Sequence, residues 1–124
     1  AIDEAEKFTK ERIQFGRRLS QSQNTHFTLA DMQTRTDAAR RLVWRAAAAE
    51  QEGQPYTHLA AMAKLFASET ASYVTNRAVQ LCGGYGYTKD YPVERMMRDA
   101  KVTEIYEGTS EVQRMVISGW MGVK

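Results

Sequence analysis

The segment Tyr106-Glu107-Gly108-Thr109-Ser110-Glu111 sets a carboxylate immediately before a predicted helix start. Gly108 breaks the preceding run, Thr109 or Ser110 can cap the next, and Ser110 with Gln113 has the spacing of a capping box. A helix start offers unpaired N–H groups and a partial positive charge, a suitable seat for an anionic group. A glutamate held there beside an aromatic ring could be stripped of water when a ligand closes over it, raising its pKa toward that of a working base. Without further context the same pattern also describes a solvated turn carboxylate.

Other candidate chemistry is sparse. His26 and His58 stand alone, without a second histidine or a carboxylate at ligand spacing, so no metal site is expected. Nothing marks a nucleophile elbow. Gly83-Gly84-Tyr85-Gly86-Tyr87 lacks the third glycine of a dinucleotide fingerprint and follows a helix rather than a strand, so by itself it reads as a helix end and turn. The single cysteine, Cys82, has no internal partner and points to a reducing compartment.

Helices must position these groups. Strand signals are almost missing, and no sheet is expected. A first helix is predicted from about Ile2 to Phe15, ended by Gly16. A second begins near Gln23 with Leu29, Met32, Thr36, Ala39, Val43 and Ala46 at three- and four-residue steps, and Gly53 and Pro55 stop it. At about 1.5 Å per residue it spans roughly 40 Å, more than a small monomeric core covers. A third, from about Tyr56 to Leu81, carries Leu59, Met62, Phe66, Thr70, Tyr73, Arg77 and Leu81 on one stripe, with alanines that permit close helix approach. A short helix over Val93 to Val102 follows Pro92, and a last one runs to about Met121. The expected fold is all-α, an antiparallel up-down four-helix bundle with a short additional helix.

The chain has 124 residues, room for one domain, and a net charge of +2. Basic residues are interleaved with acids, so neither nucleic acid nor a membrane surface is an expected partner. No run approaches the ~20 apolar residues of a membrane span. The chain opens Ala1-Ile2-Asp3-Glu4 without methionine, which leaves both a fragment of a longer protein and a stand-alone protein open.

Four segments in register resemble one family. They are Glu11-Arg12-Ile13-Gln14-Phe15-Gly16, Gln80-Leu81-Cys82-Gly83-Gly84-Tyr85-Gly86-Tyr87, Tyr91 to Lys101 (YPVERMMRDAK), and Ile105 to Arg114 (IYEGTSEVQR). Together they resemble the C-terminal domain of the acyl-CoA dehydrogenases, most of all the butyryl-CoA (short-chain) members. The resemblance covers essentially the whole chain. It implies that residues 1–124 are that helical domain, and that the family's N-terminal helical and middle β domains are absent from this chain.

The resemblance also implies a function: α,β-desaturation of an acyl-CoA thioester, with Glu107 as the base that removes the α-proton and FAD as the cofactor. Tyr106 and Gly108 would flank the thioester. Arg12, Gln14, Phe15, Ser22 and Gln23 match positions contacting FAD at a subunit interface, with Arg12 reaching the diphosphate of a neighbour's FAD. Gln80, Leu81, Gly83 and Gly84 match the glycine-rich turn against its adenosine portion, and Thr109 and Glu111 the last contacts at the helix start. Implied partners are the acyl-CoA substrate, an electron-transfer flavoprotein and further copies of the chain in a homo-oligomer, a tetramer in the family. The implied location is bacterial cytoplasm or, alternatively, the mitochondrial matrix. The isolated domain is expected to be inactive. An acyl-CoA oxidase of the same superfamily and a non-catalytic helical oligomerisation bundle are the alternatives.

Overall fold

Four helices are arranged about a fifth, long central one in the computed structural model, which describes residues 1–123. They are α1 (Ile2–Glu11), α2 (Gln23–Gln51), α3 (Thr57–Cys82), α4 (Val93–Val102) and α5 (Ser110–Trp120). Single turns of tighter 3₁₀ helix cover Leu19–Gln21 and Gly83–Tyr87. The fold is all-α, with α3 packed against α1, α2, α4 and α5.

The buried residues of α2 are Thr25, Met32, Ala39 and Ala46, spaced seven apart. One buried position every two turns is a narrow seam, suited to a long antiparallel partner. That partner is α3, whose buried positions are Ala61, Ala63, Ser68, Thr70, Val74, Thr75, Ala78 and Cys82. These residues lie on several sides of α3, as a central helix requires. Small side chains let the backbones approach, and the bulky stripe expected on α3 is displaced from the seams. Thr70 is its only buried member, Arg77 is exposed, and Leu59, Met62, Phe66, Tyr73 and Leu81 are half-buried. On α2, Val43 is likewise exposed rather than buried.

Glycine and proline set most helix ends as expected. Gly53, in the left-handed region at φ 68°, lies just beyond α2, and Pro55 follows. The end of α1 differs. The helix stops at Glu11 rather than Phe15, Arg12 is extended, and β1 (Ile13–Gln14) pairs antiparallel with β2 (Arg17–Arg18). Phe15 and Gly16 at the tip have φ of 51° and 75°. Positive φ at both central residues is what a tight hairpin matched to strand twist needs. The expectation of no sheet therefore fails at this hairpin, though it adds only two residues per strand.

The tightest core lies beside it. Ala5, Met32, Val74, Ala78, Cys82 and Val93 bring α1, α2, α3 and α4 together. Burial, followed by the nearby Glu4 carboxylate, pushes the Cys82 thiol pKa upward, which makes it a packing residue rather than a nucleophile. Among the described residues no helix is long and apolar enough to cross a membrane, and no group of three or more His, Cys, Asp or Glu could hold a metal ion.

Candidate active site

Two clefts contain most of the candidate residues. The first, about 580 Å³, lies where the end of α1, the hairpin and the start of α2 meet the end of α3. It is lined by Arg12, Gln14, Ser22, Gln80, Leu81, Gly83 and Gly84, brought together from segments far apart in sequence. Tyr85, from the glycine-rich segment, joins them, as do Asn24 and Thr88, which no sequence signal marks as site residues. The Arg12 guanidinium carbon lies 5.1 Å from the centre of the Tyr85 ring, and Arg12 makes no ion pair among the described residues. A cation so placed, with its charge uncompensated, can receive an anionic ligand. Gly83, at φ 61°, ends α3, and a Cβ built at Gly83 or Gly84 would meet nothing within 4 Å. The turn therefore leaves its backbone open to a ligand.

Phe15 and Gln23 do not line this cleft. Phe15, at the hairpin tip, is 101 % exposed, and Gln23 is the exposed first residue of α2. Their contacts with any ligand would have to be made outside this chain's own cleft.

The second cleft, about 340 Å³, is lined by Lys64, Ala67, Ser68, Ala71, Thr103, Tyr106 and Glu107. Glu107 is in the left-handed region at φ 52°, a conformation costing a non-glycine residue about 1–2 kcal/mol, and Gly108 follows at φ 92°. The surrounding structure fixes this turn. The Ser110 N–H donates to the Glu104 carbonyl at 3.0 Å, closing the loop. Lys64 Nζ donates to the Gly108 carbonyl oxygen at 2.7 Å, and Gln113 Nε2 donates to the same oxygen at 3.2 Å. Arg114 pairs with Glu69, tying the start of α5 to α3.

The cap of α5 is Thr109, whose Oγ1 accepts from the Val112 N–H at 3.3 Å. The expected Ser110–Gln113 capping box is not formed. Gln113 reaches back to Gly108 instead, and Ser110 Oγ is buried without a partner among the described residues. Replacing Thr109 by alanine should cost about 1 kcal/mol of stability. Thermal unfolding checks this, and an unchanged midpoint would remove Thr109 as the cap.

The three acids of this region differ in their surroundings. Glu104 receives Lys101 Nζ at 2.7 Å, and this bond leads the effects that hold its pKa below the usual carboxylate value. The Glu111 carboxyl is also lowered, first by its own backbone N–H and then by Thr109. The Glu107 side chain makes no hydrogen bond or ion pair among the described residues; it is exposed and borders the cleft. Of the three, it alone has its carboxylate uncommitted.

The two clefts sit at different levels of α3. From Lys64 to Gln80 the helix rises roughly 24 Å at its standard pitch. Thr109 and Glu111, at the start of α5, therefore lie apart from Gln80, Gly83 and Gly84 within one chain. Lys64 escaped the sequence reading altogether. Its only signal was a helix face, Lys64, Ala67, Ser68 and Ala71, where a cation heads small residues at three- and four-residue steps.

Comparison with known proteins shows the family of the chain. The sequence profile described as Acyl-CoA dehydrogenase, C-terminal domain, matches residues 1–122. The chain is 61% identical over 119 residues to the short-chain specific acyl-CoA dehydrogenase of Clostridium acetobutylicum, covering 96% of this chain and 31% of that protein. It is 51% identical over 121 residues to subunit CarC of the caffeyl-CoA reductase-Etf complex of Acetobacterium woodii, covering 98% and 32%. Among solved structures it is similar to butyryl-CoA dehydrogenase from Megasphaera elsdenii, at a TM-score of 0.95 and 52% identity, covering 97% of this chain and 31% of that one. It also matches the FAD complex of PigA, at a TM-score of 0.94 and 27% identity, covering 98% and 32%. The chain thus spans about a third of the length of the curated relatives it matches.

Proposed function

The chain belongs to the acyl-CoA dehydrogenase family as its C-terminal domain, and from that premise we propose that it supplies the catalytic base and part of the FAD site of an enzyme desaturating short-chain acyl-CoA thioesters. The observation that carries this reading is Glu107: an uncommitted carboxylate on a left-handed turn, bordering a cleft and fixed from two helices through Gly108.

The residues of the first cleft fit the diphosphate and adenosine end of FAD. Arg12 would take the diphosphate charge, Gln14, Ser22 and Gln80 offer polar side chains, and Gly83 and Gly84 leave room for close approach. Phe15 and Gln23, which are exposed and do not line this cleft, would add their contacts at a neighbouring copy, while Leu81 lines the cleft wall. Thr109 and Glu111, about 24 Å along the bundle, would touch a different part of the cofactor than Gln80 does. When bound, the flavin supplies acceptance of the β-hydrogen with its electron pair. Glu107 takes the α-proton, its carboxylate aimed by the fixed turn. Tyr106, in the same cleft, would shield the thioester from water, and Gly108 would let the backbone approach it.

Exposed Phe27, Trp44, Met115 and Trp120 support assembly into a homo-oligomer, a tetramer on the family pattern, since large uncovered apolar side chains favour an interface. An electron-transfer flavoprotein as redox partner is supported by the relative from Acetobacterium woodii, named as part of an Etf complex. Because that relative is named a reductase, the same proton chemistry run in reverse is the second reading.

Purification of the complete protein containing this chain tests the proposal. The expected result is bound FAD and desaturation of butyryl-CoA with an artificial electron acceptor under anaerobic conditions. Hydrogen peroxide formed stoichiometrically with product in air would mark an oxidase instead. A complete, folded protein with neither flavin nor α,β-unsaturated product would overturn the proposal.

A further inference from the structure

The Gly108 carbonyl lies just before the α5 cap and outside that helix's own ladder, whose first bond here runs from the Gln113 N–H to the Thr109 carbonyl. A half-buried carbonyl without a backbone partner needs another donor. Two side chains provide it: Gln113, from the helix that the turn leads into, and Lys64, from α3 across the cleft. The lysine bond is the shorter and is charge-assisted, so it is the stronger of the two. It also ties the 103–109 loop to the central helix, spanning 44 positions of sequence. Lys64 is half-buried and lines the same cleft as Glu107.

Neither Glu107 nor Gly108 is held by local preference. Glu107 is in a conformation that costs a non-glycine residue, and the loop would relax toward negative φ if released. Gln113 alone leaves the Gly108 carbonyl attached only to α5, whose own tie to α3 here is the exposed Arg114–Glu69 pair.

We propose that Lys64 is a positioning residue: through its bond to the Gly108 carbonyl it holds the Glu107 turn at the depth and angle that aim the carboxylate into the cleft. This rests on the reading of Glu107 as the base, and the test separates the two. In the complete enzyme, Lys64→Met keeps the stem and removes the donor, Lys64→Gln removes the charge and shortens the reach, and Lys64→Arg restores a charged donor. The expected result is a fall of roughly 10- to 100-fold in kcat for the Met and Gln variants, the scale of a base displaced by about an ångström. kcat and kcat/KM should fall together, as for an interaction realised in the transition state. The isotope effect with α-deuterated acyl-CoA should rise, because proton removal becomes slower. Lys64→Arg should recover part of the rate, with flavin content and assembly unchanged throughout.

If Lys64→Met does not fold, Lys64→Gln, which keeps a polar head, carries the same comparison. Near-normal turnover in folded Lys64→Met, or in Lys64→Gln where the Met variant does not fold, overturns the inference, as does a loss that tracks flavin loss or one that Lys64→Arg leaves unrelieved. Glu107→Gln measured alongside separates the failures. An inactive Glu107→Gln with a normal Lys64→Met removes Lys64 alone, whereas an active Glu107→Gln removes the base and this inference with it.

Discussion

Glu107→Gln in the complete enzyme is expected to lower turnover at least about 10²-fold, with flavin content and oligomeric state unchanged. That factor is about 2.7 kcal/mol of barrier. An α-proton next to a thioester is weakly acidic, so its removal needs a positioned base rather than bulk water. Glutamine has the shape of glutamate and can occupy the same left-handed turn, so the Lys64 and Gln113 bonds to Gly108 should persist. What is lost is the proton acceptor. Glu104→Gln is the matched control: Glu104 lies in the same loop but is paired to Lys101, and should keep most of its turnover. Equal losses from the two substitutions, with flavin retained, would contradict the assignment.

The second large effect is expected on stability, at Gly86. A Cβ placed there would lie 2.7 Å from Cys82 Cβ and 2.8 Å from the Val79 carbonyl oxygen. Both belong to the last turn of α3, and the oxygen is backbone that cannot rotate away. Gly86→Ala should therefore force the 83–87 turn off the end of α3, costing about 1–3 kcal/mol as overpacking does. For a chain of this size that lowers the unfolding midpoint by roughly 5–10 °C. Because Gly83 and Gly84 line the first cleft, flavin content should fall as well. Gly84→Ala is the contrast: its Cβ would meet nothing within 4 Å, so the fold should tolerate it. An unfolding midpoint for Gly86→Ala matching the wild type would show that the turn can shift freely.

Local chemistry made much of this legible. Gly53 with Pro55, and Gly83 after Cys82, mark helix ends through backbone preferences that act within a few residues. The approximate starts of α4 and α5 follow from Pro92 and Thr109 in the same way. What escaped depends on groups distant in sequence or on unusual backbone. Nothing in Phe15 announces a positive φ, so the sequence pattern predicts helix through a hairpin that begins after Arg12. The stripe predicted on α3 consists mostly of bulky residues, but helix neighbours on several sides select small ones such as Ala63, Ser68 and Ala78. Gln113 has capping spacing, but instead of accepting from a backbone N–H it donates to the Gly108 carbonyl, which the packing of α5 beside the turn brings within reach. Lys64 acts across 44 positions, a contact that only the packing of α3 against the 103–109 loop creates.

Proton exchange at Cα, measured without turnover, tests the central claim most directly. In deuterium oxide, the complete enzyme would be incubated with an acyl-CoA that carries α-hydrogens but no β-hydrogen, and deuterium uptake followed by mass spectrometry. Such a thioester cannot be desaturated, so exchange reports the base alone. The wild type should incorporate deuterium at Cα, and Glu107→Gln should lose that exchange while still holding flavin and ligand. Undiminished exchange in Glu107→Gln would show that another group removes the proton, and that Glu107 is not the base.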